Sequence, residues 1–223
     1  MIIVHHLNNS RSQRVLWLLE ELGLEYQIKF YERDPNTMLA PPSLMQVHPL
    51  GKSPVITDGD LTIAESGAIV DYLVTRYGNG QLMPTRESGD YLRYNYWLHY
   101  AEGSAMSPLL MKLVFDKIER SPMPFFVKPI ALGIVQKVKT SFISPQITRH
   151  LDYLEAEVSK TGWFVGEDFS AADIQMSFPL EAAASRGGLN GSRPNLMAWL
   201  AKIHSRQAYV AALKKGGKYD LLT

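Results

Sequence analysis

Two periods of apolar residues divide the chain. In the first third, short strand-like runs flank one helical stripe. IIVHHL (2–7) reads as a strand, and RVLWLLEELG (14–23) as a helix ending at Gly23, a residue suited to a left-handed terminus. YQIKFY (26–31) alternates as a strand does. A polar, proline-bearing stretch to Pro49 is expected to hold one helical turn near Leu44. PVIT and LTI follow, joined by Asp58-Gly59-Asp60, which is hairpin-turn chemistry. Past Ser66, the residues Ile69, Val70, Leu73 and Tyr77 share one helical face. The predicted order is β-α-β, a loop, then β-β-α.

After YGNGQLMPTRES (77–88) strand signals stop and helical periods take over. Ile147, Leu151, Leu154 and Val158 make one stripe, and Leu196, Trp199, Leu200 and Ile203 another. RSPMPFFVKP (120–129) interrupts the helices once. The division expected is a mixed domain over 1–78, a linker over 79–88 and an all-helical domain over 89–223.

Composition narrows the function classes. Of 223 residues, 46% are hydrophobic and 20% charged, ordinary for a globular chain with a buried core. A formal net charge of +1 gives no field drawing it to nucleic acid or anionic membrane. The absence of cysteine removes disulfides, thiolate metal sites and cysteine nucleophiles. No signal-peptide pattern opens the sequence and no run reaches membrane-spanning length, so a cytoplasmic setting is expected.

The stretch HPLGKSPVITDGDLTIAESGAIVDYL (48–73) holds the candidate chemistry. Pro54 at the head of a strand either starts an edge strand in trans or follows a cis Ser53-Pro54 bond. The cis form would turn the Ser53 backbone outward to pair with an extended peptide. Ser66 suits a helix N-cap, and a helix N-terminus also attracts carboxylates. Glu65 beside it suits an ammonium, so a peptide end carrying both groups would match.

HPLGKSPV, LTIAES and SRSQRVLWLLEELGLEY, in this β-α-β-α-β-β-α order, resemble the N-terminal domain of the cytosolic glutathione S-transferases. FVGEDFSAADI resembles the family's helix-start motif and Y…ALKKGG a common bacterial and fungal tail, so the resemblance covers nearly the whole chain. It implies an α/β N-terminal thioredoxin-like domain (βαβ-α-ββα) followed by an all-α helical C-terminal domain. It implies glutathione as co-substrate with no other cofactor and no metal, a small hydrophobic electrophile as second substrate, and a homodimer. Ser53 would pair with the cysteinyl backbone beside a cis Pro54, Glu65 and Ser66 would hold the γ-glutamyl end, and Lys52 would face the glycyl carboxylate. His48 and Ser53 depart from the Asn and the Val or Ile common at those places.

The activity implied is conjugation of the glutathione thiolate to hydrophobic electrophiles. Glutathione-dependent peroxide reduction would use the same thiolate, and a non-catalytic scaffold would use none. The family places its activating group in NNSRSQR (8–14). No cysteine and no tyrosine stand there, which leaves a serine-type or related bacterial/fungal branch. Ser10 is the first candidate. Counting back from ELGLEY instead places Asn9, an amide donor, at that position. Ser12 also qualifies but reads better as an N-cap, Arg11 would supply positive charge, and a backbone amide is the remaining option.

Elsewhere, Tyr96, Trp97 and Tyr100 read as core or interface rather than pocket, with Met106 and Met111 as adaptable surface. Ser170 and Asp173 form a capping-box pattern expected to start a buried helix. Gly78 and Gly80 lack the third glycine of a dinucleotide loop, and the six histidines lack metal spacing. KKGGK (214–218) reads as a frayed, solvated end.

Overall fold

The apolar run at the start of the chain becomes the inner strand of a sheet. The computed structural model describes residues 1–222, without the side chain of Leu222. Four strands, β1 (Ile2–Leu7), β2 (Tyr26–Tyr31), β3 (Val55–Asp58) and β4 (Leu61–Ala64), lie in the order β2-β1-β3-β4. β2 runs parallel to β1, as a β-α-β crossover requires, while β3 and β4 are antiparallel to their neighbours. Gly59 and Asp60 make the two-residue turn between β3 and β4, with Gly59 at φ +59°.

Helix α1 (Ser12–Glu21) starts two residues before the sequence-based boundary and stops short of Gly23. Its N-cap is Arg11, so Ser12 is the first helical residue and not the cap. Gly23 takes φ +62° and Leu24 N–H reaches the Leu19 carbonyl at 3.0 Å, closing the end as a Schellman motif. The proline-bearing loop does carry one short helical turn, Pro42–Gln46, with Leu44 buried. Helix α2 (Ser66–Tyr77) buries Ile69, Val70 and Leu73.

Helices make up the remainder. α3 (Gly89–Tyr100) runs through a π-type turn at Ala101–Ala105 into α4 (Met106–Arg120). α5 (Lys128–Val138) runs the same way through Lys139–Ile143 into α6 (Ser144–Val158). α7 (Ala171–Ala182), α8 (Pro194–His204) and α9 (Gln207–Gly216) follow. Both helical stripes read from the sequence, on α6 and α8, are buried.

α7 is buried over all its residues, and its start explains how so apolar a helix is held. Ser170 is its N-cap, and Asp173 accepts the Ser170 N–H at 3.0 Å in a capping box. The same carboxylate accepts the Phe164 N–H at 3.1 Å and the Trp199 indole N–H at 3.0 Å, tying α7 to α8. One apolar core crosses both halves of the chain, joining Val15, Leu16 and Trp17 of α1 to Ile174 and Tyr209.

The basic end is not frayed. Gly216, the last residue of α9, is buried against α1, where a Cβ would stand 2.4 Å from the Gln13 side-chain oxygen and 3.0 Å from Leu16. Tyr219 is buried and donates to Glu181 at 2.7 Å, while Lys214, Lys215 and Lys218 remain exposed. The lysines stay at the surface, Lys215 pairing with Glu20 at 2.5 Å, while Gly216 and Tyr219 dock.

Candidate functional site

β1 ends at Leu7 and the chain turns through Asn8–Arg11 into α1. This turn is tied down on two sides. Asn8 accepts the Arg33 N–H at 3.0 Å, and Asn9 sits at φ +50°, a left-handed backbone that asparagine tolerates. The Asn9 carboxamide donates to the Asp220 carboxylate at 2.7 Å and accepts the Asp220 N–H at 2.8 Å. Of the candidates in this segment, Asn9 therefore faces the distant end of the chain.

Ser10 is buried and sits inside a hydroxyl cluster. Its oxygen lies 2.7 Å from Ser12 Oγ, accepts the Ser12 N–H at 3.2 Å and donates toward Ser53 Oγ at 3.3 Å. Ser12 Oγ in turn lies 2.9 Å from His6 Nδ1. Ser53 Oγ donates to the His5 carbonyl at 3.0 Å and accepts the Leu7 N–H at 3.4 Å. Burial pushes the His6 imidazole below its ordinary pKa, and a backbone hydrogen bond at Gly216 works in the opposite direction.

The Ser53–Pro54 peptide is cis. Gly51, at φ +55°, delivers the chain to it, and a Cβ there would meet the Met45 side chain at 2.6 Å. Sheet register places the other candidates nearby. His5 pairs with Val55 and Val55 with Ala64, so Pro54 and Glu65 emerge at the sheet edge where the Ser10 turn begins. Lys52 and Glu65 are exposed there, and Ser66 is buried.

Glu65, not Ser66, is the N-cap of α2, and Ser66 is its first helical residue. No side-chain capping bond is made, so the free N–H groups of the first turn stay open to an anion. Glu65 has φ +70° and ψ 124°, a conformation costly to any residue with a Cβ. Such strain, about 1–3 kcal/mol, is found where a side chain must point in a set direction.

Arg11 is drawn away from the hydroxyls. Its Nε donates to Glu102 at 2.9 Å, and its guanidinium lies 4.9 Å from the Phe178 ring centre. Arg14, fully buried, pairs with the same carboxylate. Trp97 and Tyr100 are core residues, whereas Tyr96 is 44% exposed. The sequence pointed to the 8–12 segment but not to His6, Glu102, Gly216 or Asp220. For His6 one signal existed: a histidine in a strand, two residues before the turn, must face either the helix or the far side of the sheet.

Among the described residues no helix is long and apolar enough to cross a membrane. Residues 1–75 match the family described as glutathione S-transferase, N-terminal domain, and residues 123–207 that described as glutathione S-transferase, C-terminal domain. Glutathione S-transferase 1 of Saccharomyces cerevisiae is 36% identical, over 96% of this chain and 95% of its own. Glutathione S-transferase 3 of Schizosaccharomyces pombe is 35% identical, over 96% of this chain and 88% of its own. The crystal structure of a glutathione S-transferase from Actinobacillus pleuropneumoniae superposes with a TM-score of 0.83 at 34% identity, covering 100% of this chain and 96% of that one. With a mixed four-stranded domain leading into a helical one, and with relatives matched nearly end to end, this chain belongs to the glutathione S-transferase family.

Proposed function

We propose that this transferase binds glutathione along the edge formed by Ser10, Ser53-Pro54 and Glu65-Ser66, and that Ser10 stabilises its thiol as the thiolate for addition to hydrophobic electrophiles. The observation that carries this reading is the 3.3 Å approach of the Ser10 hydroxyl, in the turn after β1, to the Ser53 hydroxyl at the cis bond. Ser53 precedes the cis bond, beside which the cysteinyl backbone would pair, so the cysteinyl sulfur would come to lie near Ser10.

The magnitudes suffice. A free cysteine thiol has a pKa of about 8.5, and lowering it by about two units needs roughly 2.7 kcal/mol of preferential anion stabilisation. One hydrogen bond to a charged acceptor supplies about 1.5–3 kcal/mol, and a nearby helix N-terminus about 0.3–1 kcal/mol. Ser10 accepts the Ser12 N–H, and its own proton, directed toward Ser53 at 3.3 Å, would turn to the sulfur. The open first turn of α2 suits the γ-glutamyl carboxylate, Glu65 its ammonium, and Lys52 the glycyl carboxylate. A homodimer completes the reading, supported by Leu61, Leu92 and Tyr96, exposed at 51%, 77% and 44% on β4 and α3.

The test is the ultraviolet absorbance of bound thiolate against pH. Ser10→Ala should raise the bound thiol pKa by about one to two units, equivalent to one charge-assisted hydrogen bond. Turnover at neutral pH should fall in proportion, with little change in glutathione affinity. An unchanged thiol pKa would remove Ser10 from the mechanism.

A further inference from the structure

The hydroxyl cluster does not end at Ser10. From Ser10 Oγ it passes to Ser12 Oγ at 2.7 Å and from there to His6 Nδ1 at 2.9 Å, all three groups buried. The other branch runs from Ser10 to Ser53 and on to the His5 carbonyl, and a second contact of Ser12, 3.4 Å away, is the Leu7 carbonyl. Carbonyls accept hydrogen bonds but do not take up protons at neutral pH. Only the His6 branch ends in a titratable group.

The proton count along this chain is constrained. Nδ1 of His6 faces Ser12 Oγ at 2.9 Å. Burial disfavours the protonated ring, and the backbone of Gly216 favours it. In the neutral ring with hydrogen on Nε2, Nδ1 is an acceptor, Ser12 donates to it, and Ser10, its proton turned from Ser53, donates to Ser12. A thiolate at Ser10 requires the Ser10 proton to point at sulfur. Ser12 must then turn its single proton to Ser10, and two lone pairs would face each other across the 2.9 Å between Ser12 Oγ and His6 Nδ1. A proton on Nδ1 removes that conflict.

We infer that His6 is the terminal acceptor of the glutathione thiol proton, delivered through Ser10 and Ser12. This rests on Ser10 being the residue that meets the sulfur. The S–H bond breaks with its electron pair left on sulfur. The thiol proton passes to Ser10 Oγ, the Ser10 proton to Ser12 Oγ and the Ser12 proton to His6 Nδ1. Nothing is oxidised or reduced, and each hydrogen bond persists with its direction reversed. The imidazolium formed is favoured by the backbone of Gly216, with the Phe30 ring edge-on 5.7 Å away. After the thioether forms, the proton returns along the same hydroxyls to the addition product or to water. His6 acts on sulfur only through the serines, so it is a positioning residue.

The experiment is nitrogen NMR of the histidine side chains in the full chain, with His6→Gln to assign the His6 signals. Thiolate absorbance is recorded on the same samples. Glutathione should convert His6 to imidazolium at a pH where the free protein keeps it neutral. S-methylglutathione, which offers the same peptide without a thiol proton, should leave it neutral. Ser12→Ala, which interrupts the chain but keeps the imidazole, should leave it neutral with either ligand. A thiolate band with His6 still neutral would overturn the relay while sparing Ser10 as thiolate donor. Imidazolium with both ligands would overturn it as well, because binding alone would explain the change. No thiolate band in the native protein would overturn the relay together with the reading of Ser10 on which it rests.

Discussion

Arg14 of α1 and Glu102, in the turn between α3 and α4, form an ion pair across the two halves of the chain. The arginine side chain is 1% exposed and the carboxylate 29% exposed. Glu102 also holds Arg11, the residue beside Ser10, so one carboxylate fixes the first turn of α1 from the helical side. Removing one member of a buried pair leaves the other charge uncompensated. Glu102→Gln should therefore destabilise the protein by about 3 kcal/mol, near the low end for buried pairs because Glu102 is partly hydrated. Urea unfolding at neutral pH measures this.

The same pair has an acid signature. Burial pushes the Glu102 carboxyl up, but Arg14 and Arg11 together outweigh it and hold it below its ordinary value of 4.5. Because the folded pKa is the lower one, the contribution is complete above the unfolded value. It fades as pH falls through the folded value. The stability difference between native protein and Glu102→Gln should shrink over that acid range and stay constant from about pH 6 upward. A difference that grew on acidification would contradict the assignment of the pair.

Glu65 allows function and stability to be pulled in opposite directions. At φ +70° a glycine is at ease and a glutamate is not. Glu65→Gly should stabilise the protein by about 1 kcal/mol after the glycine's extra unfolded-state entropy is subtracted. It should also weaken glutathione binding about tenfold or more, the loss of one charged hydrogen bond. Paired thermal unfolding and KM measurements check both signs.

Asp220 tests whether the far end of the chain supports the Ser10 turn. Asp220→Ala removes the carboxylate that accepts from the Asn9 carboxamide and keeps the backbone N–H bond, at a stability cost of about 1 kcal/mol. The bound thiolate fraction at neutral pH should fall by about threefold, about 0.7 kcal/mol, as the turn loosens around Ser10. Full retention of that fraction would show that the turn holds itself.

What local pattern can encode, the sequence carried openly. Strands and helical stripes such as Leu196–Ile203 follow from periods of two and 3.6, and the Gly23 terminus and the Ser170–Asp173 box from residues one turn apart. Ser12 and Ser66 were misread as caps because a serine before an apolar stripe looks the same whether it caps a helix or begins it. In the structure Ser12 has better partners in Ser10 and His6. The docked tail was illegible for a different reason. Asn9 and Asp220 are 211 positions apart, and KKGGK shows charge and flexibility without showing that Gly216 alone fits against Gln13. The buried Arg14 was hidden likewise, since its partner comes from a turn that interrupts a long helix.

The clasp between Asn9 and Asp220 also sets an order of events. During synthesis the serine turn leaves the ribosome early, whereas Gly216 and Asp220 emerge more than two hundred residues later. Until then Asn9 lacks its carboxylate partner, and Gln13 lacks the Gly216 backbone packed against it. The serine turn is thus among the first parts of the chain to be made and among the last to be secured.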